Sequence, residues 1–196
     1  MFLALAVAAA MGMPPVEECR GDPAFDQARA RFIAAVKGRD VGALAGIAAD
    51  DVGLDDIGED KGIARMRDMM GGERGADFWR MLEPAADGGC SGGAGARILP
   101  SYATRISGEE MLVAAAREPI RAGPSAETRV KGYARYEWVA RNFADSGPFY
   151  WHVKLRSGRV GYIRSERIYS DTSPYAAFER QSGQWRLTKL RLVPAD

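Results

Sequence analysis

The chain has only two cysteines and a single histidine in 196 residues. No Cys-x-x-Cys pair occurs, so a zinc site built from Cys and His lacks both the spacing and the ligands. His-Glu-x-x-His, Gly-x-Ser-x-Gly and a phosphate loop ending in Gly-Lys-Ser/Thr are also missing. Their absence removes the usual bases for zinc-hydrolase, serine-hydrolase and phosphoryl-transfer chemistry. A thiol enzyme would have to bring Cys19 or Cys90 to His152, and both cysteines lie in poor nucleophile contexts. No catalytic residue, cofactor or metal is therefore expected.

The uncharged opening MFLALAVAAAMGM is too short to span a bilayer as a helix, so no membrane span is predicted. It reads as a signal peptide over residues 1–13, with an apolar core from Phe2 to Val7 followed by the small residues Ala8, Ala9 and Ala10. The positive residues that open most such signals are missing, which leaves an apolar tail as the alternative. Export implies a periplasmic or secreted protein, and there two cysteines most simply form one disulfide, Cys19 with Cys90.

A net charge of +1 conceals two halves of opposite sign. Residues 1–100 hold 11 basic and 16 acidic side chains, and residues 101–196 hold 16 and 10. Mutual attraction of the halves accounts for this as well as an acidic partner would. Nucleic acid is a third option for the arginines of the second half, but export argues against it.

Along the chain, Asp22-Pro23 is a helix start, with Asp as N-cap and Pro in the first turn. Phe25, Ala28, Phe32 and Val36 follow at helical spacing up to Gly38, and Asp40 caps a second short helix carrying Leu44 and Ile47. Six carboxylates lie between Asp50 and Asp60. They come in adjacent pairs, which does not fit the alternating ligands of a calcium loop, so a solvated acidic loop is expected. Ile63, Met66 and Met70 suggest a further helix. Asp77 is expected to cap another, carrying Phe78, Trp79 and Leu82 and stopped near Pro84.

The mainly helical region thus covers residues 19–86. Residues 87–108, opening with DGGCSGGAGAR, read as a Gly-rich linker or loop. Strands then follow from Met111, Tyr136 and Tyr150. A hairpin turns at Ser157-Gly158, and a C-terminal hairpin over 171–196 turns at Ser182-Gly183. The fold class is α+β.

PIRAGPS (119–125), YEWVARN (136–142) and FYWHVKLRSGRVGYIRSERI (149–168) together resemble a bacterial SH3-like domain over about residues 109–170. The resemblance rests on Arg121, Gly123, Pro124, Ser125, Trp151, Val153, Gly158, Gly161, Tyr162 and Ile163, in that order. It implies a small β-barrel, with Gly161 leaving room for a ring such as Trp151. It also implies a targeting module of the cell envelope whose ligand is a cell-wall peptide or another protein. Tyr136, Tyr150, Tyr162 and Arg121 are the candidate ligand-binding residues, while Trp138 and Trp151 are expected to fill the core.

More faintly, FDQARARFIAAVKGRDVGALAGIAADDV and FERQSGQWRLTKL resemble the first helices and last hairpin of nuclear transport factor 2-like domains. This likeness implies an α+β unit into which the SH3-like module is inserted. Any acid–base chemistry in its pocket would fall to carboxylates such as Asp55 or Asp56. Fold and function together point to a non-catalytic binding or scaffold protein, with a pocket protein or enzyme of the second family as the alternative.

Overall fold

The computed structural model describes residues 12–56 and 58–192. The expected signal peptide therefore lies outside the described residues, apart from Gly12 and Met13. Among the described residues the chain is α+β, with four α-helices and two sheets, neither closed into a barrel. The helices are α1 (Pro23–Gly38), α2 (Val41–Ile47), α3 (Ile63–Gly71) and α4 (Gly75–Asp87). In chain order the strands are β1 (Ala48–Gly53), β2 (Ser91–Gly92), β3 (Ala96–Leu99), β4 (Met111–Val113), β5 (Glu118–Arg121), β6 (Val130–Ala134), β7 (Trp138–Asn142), β8 (Tyr150–Leu155), β9 (Val160–Arg164), β10 (Ile168–Ser170), β11 (Tyr175–Gln181) and β12 (Gln184–Arg191).

Two compact units divide the chain. A helical unit takes residues 15–108 and the chain from 170 onward, while a β unit takes residues 109–169 together with Gly12–Pro14.

In the helical unit, α1 starts where the sequence predicts. Asp22 Oδ1 accepts the backbone N–H groups of Ala24 (3.1 Å) and Phe25 (3.2 Å), with Pro23 in the first turn. Asp40 caps α2 through the N–H of Ala43 at 2.9 Å. Two expectations for α4 fail. Asp77 lies inside its first turn, where a carboxylate still suits the helix dipole, and Pro84 sits within the helix instead of ending it. Its apolar face continues across the proline as Phe78, Trp79, Leu82, Ala85 and Ala86, and that burial offsets the lost backbone hydrogen bond.

The helices pack on a five-stranded sheet of order β1-β12-β11-β3-β2, in which β1 runs parallel to β12 and the other pairs are antiparallel. The C-terminal hairpin β11–β12 is therefore the centre of the helical unit's sheet. Phe178 and Trp185 reach α1: Phe178 meets Phe25 and Phe32 edge-on at 5.8 and 5.7 Å, and Trp185 meets Phe25 at 5.1 Å. Trp185 Nε1 donates to Asp22 Oδ2 at 3.0 Å, so the cap of α1 is also held by β12.

The Gly-rich stretch, expected as a linker or loop, carries the β2–β3 hairpin instead. Cys90 is fully buried in a disulfide with Cys19, their Cα atoms 5.7 Å apart. Backbone hydrogen bonds from Cys90 to Val16 and from Glu18 to Cys90 lay the 16–18 segment beside it. Gly89 has φ +74°, and any side chain there would run into the carbonyl of Val16. The glycines thus permit close approach of two backbones where composition alone suggests slack.

The β unit has strand order β10-β4-β7-β8-β9-β5-β6. The order is open, ending on the three-residue β10 at one side and β6 at the other, so the closed barrel implied by the SH3-like resemblance is not formed by this pairing. Alternation along the strands puts Val139, Val153, Leu155, Ile120 and Ile163 on one buried face, joined by Val113, Ala134 and Ile168. Aliphatic side chains fill this core. Two buried glutamates close it by charge-assisted hydrogen bonds. Glu118 accepts from Nε and Nη2 of Arg164, each at 3.0 Å, and Glu137 accepts from the N–H of Ser157 at 2.9 Å and Nη2 of Arg159 at 2.6 Å. The Glu118 carboxylate is also the chief reason the Arg164 guanidinium is held above its ordinary pKa.

Gly161 fits its neighbours differently from expectation. A side chain there would meet Cγ2 of Ile120 at 2.6 Å and the Arg121 carbonyl at 2.7 Å, so the glycine makes room for β5 and not for the ring of Trp151.

Candidate binding face of the β unit

The face of the β unit opposite its core is set by the register of four strands. Asn142 of β7 pairs with His152 of β8, His152 with Tyr162 of β9, and Tyr162 with Arg121 of β5. These four side chains therefore form one cross-strand row, about 14 Å long at the usual strand spacing. The rings of His152 and Tyr162 stack with centroids 4.8 Å apart. Tyr150 lies two residues before His152 on the same face.

The β7–β8 loop braces one end of the row. Asn142 Nδ2 donates to Asp145 Oδ2 at 2.7 Å, and His152 Nδ1 lies 3.3 Å from the same carboxylate oxygen. Ser146 Oγ accepts from the His152 N–H at 3.0 Å and donates to the Asn142 carbonyl at 2.6 Å. At the other end, Arg121 Nη1 donates to the Ala126 carbonyl and, at 2.9 Å, to that of Thr128. Arg121 thus clamps the 122–129 turn, and this occupies one edge of its guanidinium.

Three of the four candidate residues, Tyr150, Tyr162 and Arg121, are brought together. Tyr136 is not. It sits before β7 in a left-handed conformation (φ 45°), and its carbonyl accepts the N–H of Met13 at 2.6 Å. Its place is decided by backbone pairing with the Gly12–Met13 segment.

The two tryptophans expected in the core also part company. Trp151 packs half-buried against the core with the guanidinium of Arg141 3.9 Å above its ring. Trp138 stays out of it. The pairings of Val139 with Leu155 and Ala140 with Lys154 put Trp138 on the outer face with Ala140 and Lys154. Assigning tryptophans to the core by size overlooks that YEWVARN alternates, with valine already holding the inward position.

Sequence reasoning misses a further feature. Five large apolar side chains are exposed among the described residues: Val130, Tyr133, Phe143, Phe149 and Val160. All belong to the β unit. Phe143 and Phe149, 73% and 76% exposed, flank the braced β7–β8 loop, Phe143 directly after Asn142 at the end of the row. The phenylalanines of FADSGPF are legible only as loop residues, since nothing in periodicity distinguishes an exposed loop ring from a tucked one.

The carboxylates suspected of acid–base work in the helical unit are engaged otherwise. Asp55 accepts the N–H groups of Gly58 (2.6 Å) and Asp60 (2.9 Å), and these hydrogen bonds, the one from Asp60 foremost, hold its carboxyl below the usual range. Asp56 is partly desolvated, which alone would raise its pKa. Contacts with Lys189 Nζ at 2.9 Å and Arg191 Nη1 at 2.8 Å prevail and lower it. Both are built to stay ionised, so neither is poised to donate a proton near neutrality.

Because the folded pKa of Asp56 lies below its ordinary 3.8, its contribution is present above that value and disappears as the pH falls through the lower, folded one. Asp56→Asn is therefore expected to lower stability at pH 7 by no more than about 1 kcal/mol, since the ion pairs are half exposed and screened. The gap to wild type should shrink below about pH 4. Thermal melts from pH 7 to pH 3 measure it, and a gap independent of pH would contradict this assignment.

Cys19 and Cys90 pair as their number and the expected export suggest, which is consistent with an oxidising, extracytoplasmic location. No helix among the described residues is long and apolar enough to cross a membrane. Neither the models of known protein families nor the curated proteins contain a match to this chain.

Proposed function

We propose that this chain is a non-catalytic binding or scaffold protein of the bacterial cell envelope, and that its β unit is an SH3-like module holding a cell-wall peptide or another envelope protein. The observation that carries the reading is the placement of all five exposed large apolar side chains on the β unit and none on the helical unit, among the described residues. Phe143 and Phe149 are the most exposed of them and flank one loop, which marks that end of the unit as a contact surface. The stacked His152–Tyr162 pair, with Tyr150 beside it, adds flat contact area on strands, where little entropy is lost on binding.

The helical unit serves as the scaffold. Phe25, Phe32, Phe178, Trp185 and Leu187 fill the space between its helices and sheet. Its two suspected carboxylates are tied into the acidic loop and to β12.

Retention of the full chain on purified peptidoglycan, with and without Tyr162→Ala, tests the proposal. Losing a central aromatic contact is expected to weaken retention by about tenfold or more. Equal retention by the two proteins, with the circular dichroism of the variant unchanged, would take Tyr162 out of the site. Retention that falls steeply with salt would redirect the search to a polyanionic ligand.

A further inference from the structure

A second feature of the same outer face is an open cleft of about 460 Å³ around β7, lined by Glu109, Glu110, Trp138, Ala140, Lys154 and Arg156 among others. The strand order decides how these residues are arranged. β7 lies between β4 and β8, so Trp138 and Ala140 form the floor. Glu109 and Glu110 immediately precede β4 and supply one wall; Lys154 and Arg156, at the end of β8, supply the other. Continuing the register of Met111 with Val139 by one residue brings Glu110 level with Ala140, which is itself paired with Lys154. The small methyl of Ala140 leaves the middle of this rung open.

The cleft thus has an acidic wall, an aromatic and apolar floor, and a basic wall. The side chains of Glu109, Glu110 and Lys154 make no hydrogen bond or salt bridge among the described residues, although elsewhere in the unit Glu118 and Glu137 are paired with arginines. Arg156 lies over the Trp138 ring, its guanidinium 5.7 Å from the centroid, so the charges without a partner among the described residues are those of Glu109, Glu110 and Lys154, and together they complement a ligand carrying both signs.

We infer that this cleft binds a short peptide by its two free ends, the ammonium toward Glu109 and Glu110, the carboxylate toward Lys154 and Arg156, and a side chain against Trp138. Length follows from the sheet. The two walls stand on strands separated by two spacings, about 9–10 Å, and three extended residues reach about 10 Å. A tripeptide lying across β7 spans the cleft, and the volume lies within the roughly 300–1,000 Å³ of small-ligand sites. The inference rests on the β unit being a binding module and adds a ligand class to it.

Calorimetric titration of the full chain with tri-alanine, N-acetyl-tri-alanine and tri-alanine amide provides the test. Saturable binding of free tri-alanine is expected, weakened about two- to fivefold by either cap, since each removes a charged partner from a solvent-screened contact. The pair E109Q/E110Q should bind free and acetylated peptide equally, and K154Q/R156Q should bind free and amidated peptide equally. Trp138→Phe should largely preserve the affinity and Trp138→Ala should lower it. All these groups are at least partly exposed, and circular dichroism checks their folding. Absence of saturable binding by tri-alanine, or equal affinity for the capped peptides, overturns the inference. If peptidoglycan retention depends on Tyr162 while tri-alanine does not bind, the cleft is excluded and the envelope reading stands. Tri-alanine binding with no retention on the wall supports the cleft and removes the cell-wall peptide as the ligand.

Discussion

Replacing Cys19 and Cys90 by serine is expected to destabilise the helical unit by about 4 kcal/mol, the chain-entropy value for a closed loop of this length. The cysteines are 71 residues apart, and the loop they close contains α1 to α4 and β1 and ends just before β2. Without the bridge, the unfolded chain regains the freedom of that loop, while the folded chain keeps backbone hydrogen bonds to Cys90 and the Glu17–Arg29 salt bridge to hold residues 16–18. Both cysteines are fully buried, so two serine hydroxyls would also need partners in an apolar setting. For a unit of this size the loss corresponds to a drop in Tm on the order of 15 °C. Thermal melts in the far ultraviolet measure it, with the β unit's transition as an internal reference. A drop of only about 1–2 °C, well short of what a lost loop constraint implies, would mean that the 16–18 segment and the β2–β3 hairpin hold without covalent help. Thiol titration of the denatured wild type without reductant should find no free cysteine.

Phe178→Ala should be nearly as damaging, by about 3–5 kcal/mol, the usual range for emptying a buried phenylalanine site. Phe178 has no exposed surface and meets both Phe25 and Phe32 edge-on. It also stands where the register between β11 and β12 shifts by a bulge, so its ring secures α1 to a place where the ladder is irregular. The surrounding rings belong to a helix and cannot readily collapse into the void. Phe178→Leu keeps most of the volume and should lose less than about 2 kcal/mol. Urea unfolding of the two variants separates cavity formation from general intolerance. Equal losses for leucine and alanine would show that the aromatic edge contacts outweigh the volume filled.

Alternation and adjacency do not place Phe178 in the helical unit; only the likeness of FERQSGQWRLTKL to a nuclear transport factor 2-like hairpin points there. The chain presents FERQSGQWRLTKL directly after the β segments, and adjacency alone makes it their continuation. Its alternation predicts a hairpin correctly, because residues two apart share a face whatever the sheet. Which sheet receives that face depends on complementary surface elsewhere, here the Phe25–Phe32 stripe more than a hundred residues earlier. Trp138 shows the converse: its strand is legible, while the choice of inward face falls to the valine beside it.

Local rules therefore settled the local structure. The Asp22-Pro23 start, the 3.6-residue stripe of α1, the cap at Asp40 and the turns at Ser157-Gly158 and Ser182-Gly183 depend on contacts within a few residues, which the sequence writes out in order. The pairing of the only two cysteines followed from their number once export was assumed. Tertiary structure alone decided that the Gly-rich stretch is a hairpin, that Tyr162 and His152 stack in one row, and that an acidic wall faces a basic one across Ala140; it also decided between the two places left open for the last hairpin, on the β segments or with the first helices. Each of these joins residues far apart in the chain, and such contacts form only when the burial they share outweighs the entropy of bringing distant segments together.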